Sequence, residues 1–149
     1  MLFLLDTNVL IQMVRGKKTY FVERFSLDDP SNISVISLVT SAEVLSFSMQ
    51  YRWGEKRWQD AQKLILEFPP TDINDPNIIK RYAEIDTFSK GKLLSRPLIG
   101  SSRTMGKNDL WIAATASVIN ATLITTDKDF DQLDLHFLKV AFVEPSLIV

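Results

Sequence analysis

Asp6, Glu43, Asp109 and Asp127 lie far apart in the chain, yet each falls where a strand gives way to a helix or turn, or in the first turn of a helix. Carboxylates placed that way can converge, because in an open α/β sheet the carboxyl ends of the strands and the helix N-termini that follow them face one crevice. Unpaired carboxylates in contact repel by about 4 kcal/mol at an effective dielectric of 20, so a converged set needs a cation. Oxygen-only ligands point to Mg²⁺ or Mn²⁺, and Mg²⁺ typically leaves coordination positions for water and phosphate oxygens. The chemistry in view is that of a phosphate-handling metal site.

Each acid taken singly also has a structural explanation. Asp6 ends a strand, where aspartate caps the next helix. Glu43 follows Thr40 at the Thr-x-x-Glu spacing of a capping box. Asp109 opens an apolar helix, where the dipole favours a carboxylate by about 0.3–1 kcal/mol. Asp127 and Asp129 lie in Thr-Thr-Asp-Lys-Asp-Phe, a polar turn in which aspartate bonds its own backbone. Only their joint placement points beyond local capping.

The elements that must position them are legible as an alternation of strands and helices. Leu2 to Leu5 reads as a strand buried on both faces, and Ile33 to Ser37, Thr71 to Asn74, Ala121 to Thr125 and Lys139 to Val143 as four more, the third an edge. Between them fall helices over Val9 to Val14, stopped by Gly16, then Lys17 to Phe25, a helix opened by Thr40 to Glu43, Glu55 to Phe68, a helix begun by Asp75-Pro76, and Leu110 to Ile119. Ser89 to Lys107, rich in Ser, Gly and basic residues, reads as a loop or frayed helix end. The alternation predicts a three-layer α/β sandwich, a parallel sheet of about five strands flanked by helices.

Composition sets further bounds. A chain of 149 residues with 46% hydrophobic composition is the size of one domain, residues 1–149, with its own core. It has no cysteine, which excludes thiolate zinc sites and cysteine nucleophiles and fits a reducing, cytoplasmic setting. One histidine, His136, is too few for imidazole-based metal or triad chemistry, and it is assigned no role. The N-terminal apolar run carries Asp6 and lacks the basic start of a signal peptide, and no apolar run approaches the roughly 20 residues of a membrane span. The net charge of -1 gives no global attraction to nucleic acid.

The segments LLDTNVLI, TSAEVL, KNDLWIAATA and ATLITTDKDF, in that order, resemble the four acidic motifs of PIN-domain ribonucleases, and among them the compact VapC-type toxins of bacterial toxin–antitoxin pairs. The resemblance spans residues 2 to 130. It implies a Mg²⁺-dependent endoribonuclease with Asp6, Glu43, Asp109 and Asp127 as its acidic site, Asp6 and Asp109 as main ligands, and Thr7 or Asn8 positioning water or phosphate. Asp129 is implied as a further helper. It also implies a homodimer and a small antitoxin whose C-terminal segment covers the site. The stretch from Ser89 to Lys107 departs from the most compact members of the family.

That stretch carries Lys90, Lys92, Arg96, Arg103 and Lys107 and no acid, directly ahead of Asp109, and reads as a basic rim for an RNA backbone. Tyr51, Trp53 and Trp58 read as helix-packing residues, with a protein interface as the second choice. Two other functions fit the same residues. One is a non-catalytic RNA-binding module whose acids cap helices; the other is a DNA nuclease or phosphatase using the same acidic site.

Overall fold

The computed structural model describes residues 1–149. Five strands, β1 (Leu2–Leu5), β2 (Ile33–Ser37), β3 (Pro70–Thr71), β4 (Thr122–Thr125) and β5 (Lys139–Phe142), form one parallel sheet in the order β3-β2-β1-β4-β5. Every pairing is parallel, with Leu4 opposite both Val35 and Leu123. The chain lays down β1, β2 and β3 toward one edge and then returns to add β4 on the other side of β1. The direction of strand addition therefore reverses between β1 and β4, which opens a crevice at their carboxyl ends.

Side chains of successive strand residues point to opposite faces, and the two faces of this sheet carry separate cores. Leu4 and Leu123 face one core, built with Ile78, Ile85 and Phe88 of α5 (Pro76–Ser89) and Leu110 and Ile112 of α6 (Lys107–Val118). Phe3, Leu5 and Ile124 face the other. That core includes Leu10 of α1 (Thr7–Gln12), Phe21 of α2 (Lys18–Phe25), Val44 of α3 (Leu38–Gln50) and Ala61 and Leu64 of α4 (Glu55–Glu67). The expected three-layer arrangement is present, and both central strands are buried on both sides, as their unbroken apolar sequences require.

Several local expectations shift. Gly16 does break the first helix, at φ 91°, as a kink within Met13–Lys17 that leads directly into α2. The edge strand is only Pro70–Thr71, because prolines at 69 and 70 cannot donate to a ladder and are tolerated only at an edge. The helix carrying Glu43 begins at Leu38, not Thr40; Ser37 caps it by accepting from the Val39 amide at 3.2 Å. The Thr40–Glu43 capping box is therefore absent, and Glu43 lies beyond the first turn. Trp53 and Trp58 pack against the core beneath α1 to α4, while Tyr51 stacks on Phe47 and stays 63% exposed.

The segment between α5 and α6 is tied down at several points. Its amide at Arg103 donates to Ser89 O at 2.8 Å, Met105 is buried, and Leu93 and Leu98 pack against the core under α5 and α6. Arg96 lies 4.4 Å from the Phe137 ring centroid and donates to the carbonyl of His136. Both partners precede β5, at the end of the sheet opposite the crevice. No helix is long and apolar enough to cross a membrane.

Candidate active site

The reversal of strand order makes the crevice, and four elements fill it with carboxylates. Asp6 directly follows β1, its amide continuing the ladder to Ile124 O at 3.0 Å. It is 3% exposed, and its two oxygens are held separately: the Thr7 amide donates to Oδ1 at 2.8 Å and the Thr125 hydroxyl to Oδ2 at 2.7 Å. Asp127 follows β4 and caps a 3-10 turn over Lys128–Leu133, accepting from the Asp129 amide at 2.8 Å. Asp109 stands in the first turn of α6, whose N-cap is Gly106. Glu43 comes from α3 and accepts from the Thr7 hydroxyl at 2.7 Å.

Thr7 and Thr40 link the layers beneath these acids. Their hydroxyl oxygens are 3.0 Å apart, so with Thr7 donating to Glu43, Thr40 donates to Thr7. Of the three helpers expected from sequence, Thr7 is thus committed to holding Glu43, and Asn8 is left exposed beside the crevice. The signal for Thr40 was present in the sequence but was read as a cap, because spacing alone does not tell where a helix begins.

Asp109, Asp127 and Asp129 each offer a carboxylate oxygen within 4.8 Å of one another. Asp129 joins this group but is exposed and acts on Asp109 least of the four acids, while Asp6, the expected main ligand, lies deeper with both oxygens engaged and acts on it most. A carboxylate has about four lone-pair sites, so two accepted bonds orient Asp6 without exhausting it. The charges act on one another. Burial, partly offset by the bonds from Thr125 and Thr7, pushes Asp6 up to about 6, with Glu43 and Asp127 adding to the rise. Burial also pushes Asp109 up to about 7, reinforced by Asp6, Asp127, Glu43 and Asp129.

The donor set tests well against a hard divalent ion. All the converging side chains offer oxygen, and no protein hydrogen bond stabilises the Asp109 carboxylate against the four acids around it. A Cβ at residue 106 would meet Asp109 Oδ2 at 3.5 Å, an ordinary van der Waals contact. The opening is a cleft of about 430 Å³ lined by Glu43, Gly106, Lys107, Asn108 and Asp109, without a hydrophobic side chain.

The basic residues of the 89–107 stretch divide. Arg103 reaches Asp129 at 3.4 Å and Lys107 borders the cleft. Lys90 instead pairs with Asp86 at 3.0 Å one turn back on α5, and Lys92 is exposed. Arg96 is at the far end of the sheet, so it cannot belong to a rim around the acids; it was misplaced because a loop's path is not encoded in its charge pattern. Arg96→Gln should lower thermal stability by roughly 1 kcal/mol through lost cation–π contact and leave RNA binding unchanged. Denaturation and filter binding of the same preparation would check both halves.

The PIN-domain family model matches residues 3–135. Ribonuclease VapC1 of Haemophilus influenzae is 30% identical over 135 residues, covering 89% of this chain and 92% of that protein. Two solved structures share the fold. VapBC2 from Rickettsia felis, bound to a DNA fragment from its promoter, is 23% identical with a TM-score of 0.77, covering 97% of this chain and 100% of that one. VapBC-1 from nontypeable Haemophilus influenzae is 26% identical with a TM-score of 0.74, covering 95% and 98%. A family model that spans nearly the whole chain, over a sheet whose crevice gathers the acids of all four motifs, identifies the protein as a member of the PIN-domain family.

Proposed function

We propose that residues 1–149 act as one Mg²⁺-dependent endoribonuclease unit, the toxin of a type II toxin–antitoxin pair, working in the cytoplasm. The observation that carries the reading is the convergence of Asp6, Glu43, Asp109, Asp127 and Asp129 at the strand-order reversal, without enough positive charge nearby to balance them. The similarity to Ribonuclease VapC1 supports RNA as substrate, and the VapBC complexes support a small antitoxin as partner. A homodimer is part of the same reading. Exposed Leu38, Leu45 and Met49 on α3 give a protein partner apolar surface to cover.

Asp6, Asp109 and Asp127 would hold the ion, with Glu43 completing the acidic site and Asp129 close to Asp109 and Asp127. Once bound, Mg²⁺, or Mn²⁺ in its place, supplies charge neutralisation at the phosphate and a lowered pKa for water. The chain's own part is positioning. Thr125 and the Thr7 amide fix Asp6, and Thr7, backed by Thr40, fixes Glu43. Arg103 and Lys107 flank the acids with cationic groups for the phosphates on either side of the cleaved bond.

The test compares structured RNA, single-stranded DNA and a phosphomonoester with Mg²⁺ and with EDTA. Cleavage of RNA alone, abolished by EDTA, is expected. RNA binding without turnover would replace the reading with a non-catalytic module, and turnover of DNA or the monoester would replace the substrate.

A further inference from the structure

A groove of about 600 Å³ runs from the acids along α1, α3 and α6, and its lining differs in kind from the cleft at Asp109. Ile11, Phe47 and Trp111 give it apolar and aromatic surface, while Asn8, Gln50 and Asn108 place three amides around it. Glu43 is its only charged lining residue, and with Thr7 it belongs equally to the acidic site, so the groove and the site are continuous. At the end away from the acids, the exposed guanidinium of Arg15 lies over the Phe47 ring, 5.4 Å from its centroid.

Resting on the ribonuclease reading above, we infer that this groove is a nucleobase subsite. It takes the base next to the cleaved phosphodiester against Trp111 and the guanidinium of Arg15, which Phe47, itself stacked on Tyr51, supports from beneath, and reads its edge with the amides of Asn8, Gln50 and Asn108. Single-stranded RNA is recognised in this way, by unstacked bases laid on aromatic rings or arginine planes and hydrogen-bonded along their edges. An amide presents a donor and an acceptor side by side, the pattern a base edge matches. Gln50 Nε2 already donates to the Ser46 hydroxyl at 2.9 Å, which orients the amide and leaves its oxygen to accept.

The amides of the lining favour a nucleic acid strand over an apolar peptide. A strand whose phosphate sits at the acids would pass Glu43, the one charged residue of the lining, and bring a following phosphate to the exposed Arg15 beyond it. An apolar helix laid in the same place would cover three amides without giving them partners, and buried unpaired polar groups are costly. The volume lies in the range of sites that hold one small ligand, enough for a nucleotide or two.

Binding of a fluorescein-labelled hexaribonucleotide, measured by anisotropy on an Asp109→Asn background that does not cleave, tests the subsite. Phe47→Leu, which keeps an apolar side chain but removes the ring beneath Arg15, is expected to weaken binding about tenfold. Gln50→Ala is expected to alter the ranking of homopolymeric hexamers. Arg15→Gln is expected to flatten the dependence of log K on log salt by about 0.7, one phosphate contact on a single strand. Arg57→Gln, whose guanidinium lies over Trp53 outside the groove, serves as the control with an unchanged slope. Unchanged affinity, base ranking and salt slope in the groove variants, with wild-type protein still cleaving RNA, would overturn the subsite alone and leave the groove to a protein segment. If the parent binds no RNA and wild type cleaves none, both the subsite and the ribonuclease reading fall.

Discussion

Replacing Asp109 with Asn is expected to reduce RNA cleavage by more than about 100-fold and, in the same molecule, to make the metal-free protein more stable. The first half follows from position. Loss of groups that merely orient a metal ligand costs about 10–100-fold in metal affinity or activity, and Asp109 is placed to be a ligand itself. The second half follows from its surroundings, since its carboxylate accepts no hydrogen bond and faces four other acids. An amide of the same shape removes that repulsion. With partial exposure and solvent screening taken into account, the gain is on the order of 2 kcal/mol at pH 8. That corresponds to roughly 4–8 °C in the melting temperature of a chain this size. A residue serving only to hold the fold together would show the opposite sign. Cleavage rates with Mg²⁺ and thermal melts in EDTA would measure both.

The stability of the metal-free protein should also fall as pH rises from about 4 to about 7. Asp6 and Asp109 bind protons more tightly in the folded protein, to about 6 and about 7, than in the unfolded chain at 3.8. Between those limits the folded state carries more protons, so raising the pH favours unfolding. The contribution is complete near pH 4, is lost as pH passes through the folded values, and amounts to a few kcal/mol for the two groups together. Other carboxylates have their own pH dependence, so the informative quantity is the difference between wild type and Asp109→Asn. That difference should be near zero at pH 4 and grow toward pH 8, and Mg²⁺ should shrink it. Melts in EDTA from pH 4 to 8, with and without added metal, would trace it; a difference independent of pH would contradict the electrostatic account of Asp109.

The fold was largely readable because its signals are local. Leu2 to Leu5 is apolar without interruption, and a strand buried on both faces has no alternative pattern. Asp75-Pro76 starts α5 where an N-cap followed by proline should, with the Asp75 side chain accepting from the Asn77 amide at 2.8 Å. The acids were recognisable by order and by the elements they terminate, but their mutual geometry was not. The close grouping of Asp129 with Asp109 and Asp127 depends on the 3-10 turn after β4, whose path no periodicity reports. Glu43 is legible as an acidic-site residue, but its capping-box role is not borne out, since Ser37 and Thr40 both have capping side chains and only the structure shows that Ser37 starts the helix.

The basic stretch shows the same limit more plainly. Lys90, Lys92, Arg96, Arg103 and Lys107 form one run in sequence, but the loop carries Arg96 to Phe137 while returning Arg103 to Asp129. Charge count alone does not separate Arg103 and Lys107, which lie beside the acids, from Arg96 at the other end of the sheet. The groove at Phe47 had no sequence signal, because its amides and aromatic rings come from α1, α3 and α6 and meet only through the packing of helices on both sides of the crevice.

The central claim is that these acids hold a divalent ion, and calorimetric titration of Mn²⁺ into metal-free protein at pH 8 tests it most directly. Saturable binding is predicted, weakened at least about tenfold by Asp109→Asn or Asp127→Asn and weaker at pH 6, where Asp109 holds its proton. Binding of equal strength in wild type and both variants, or no binding at all, would contradict the claim.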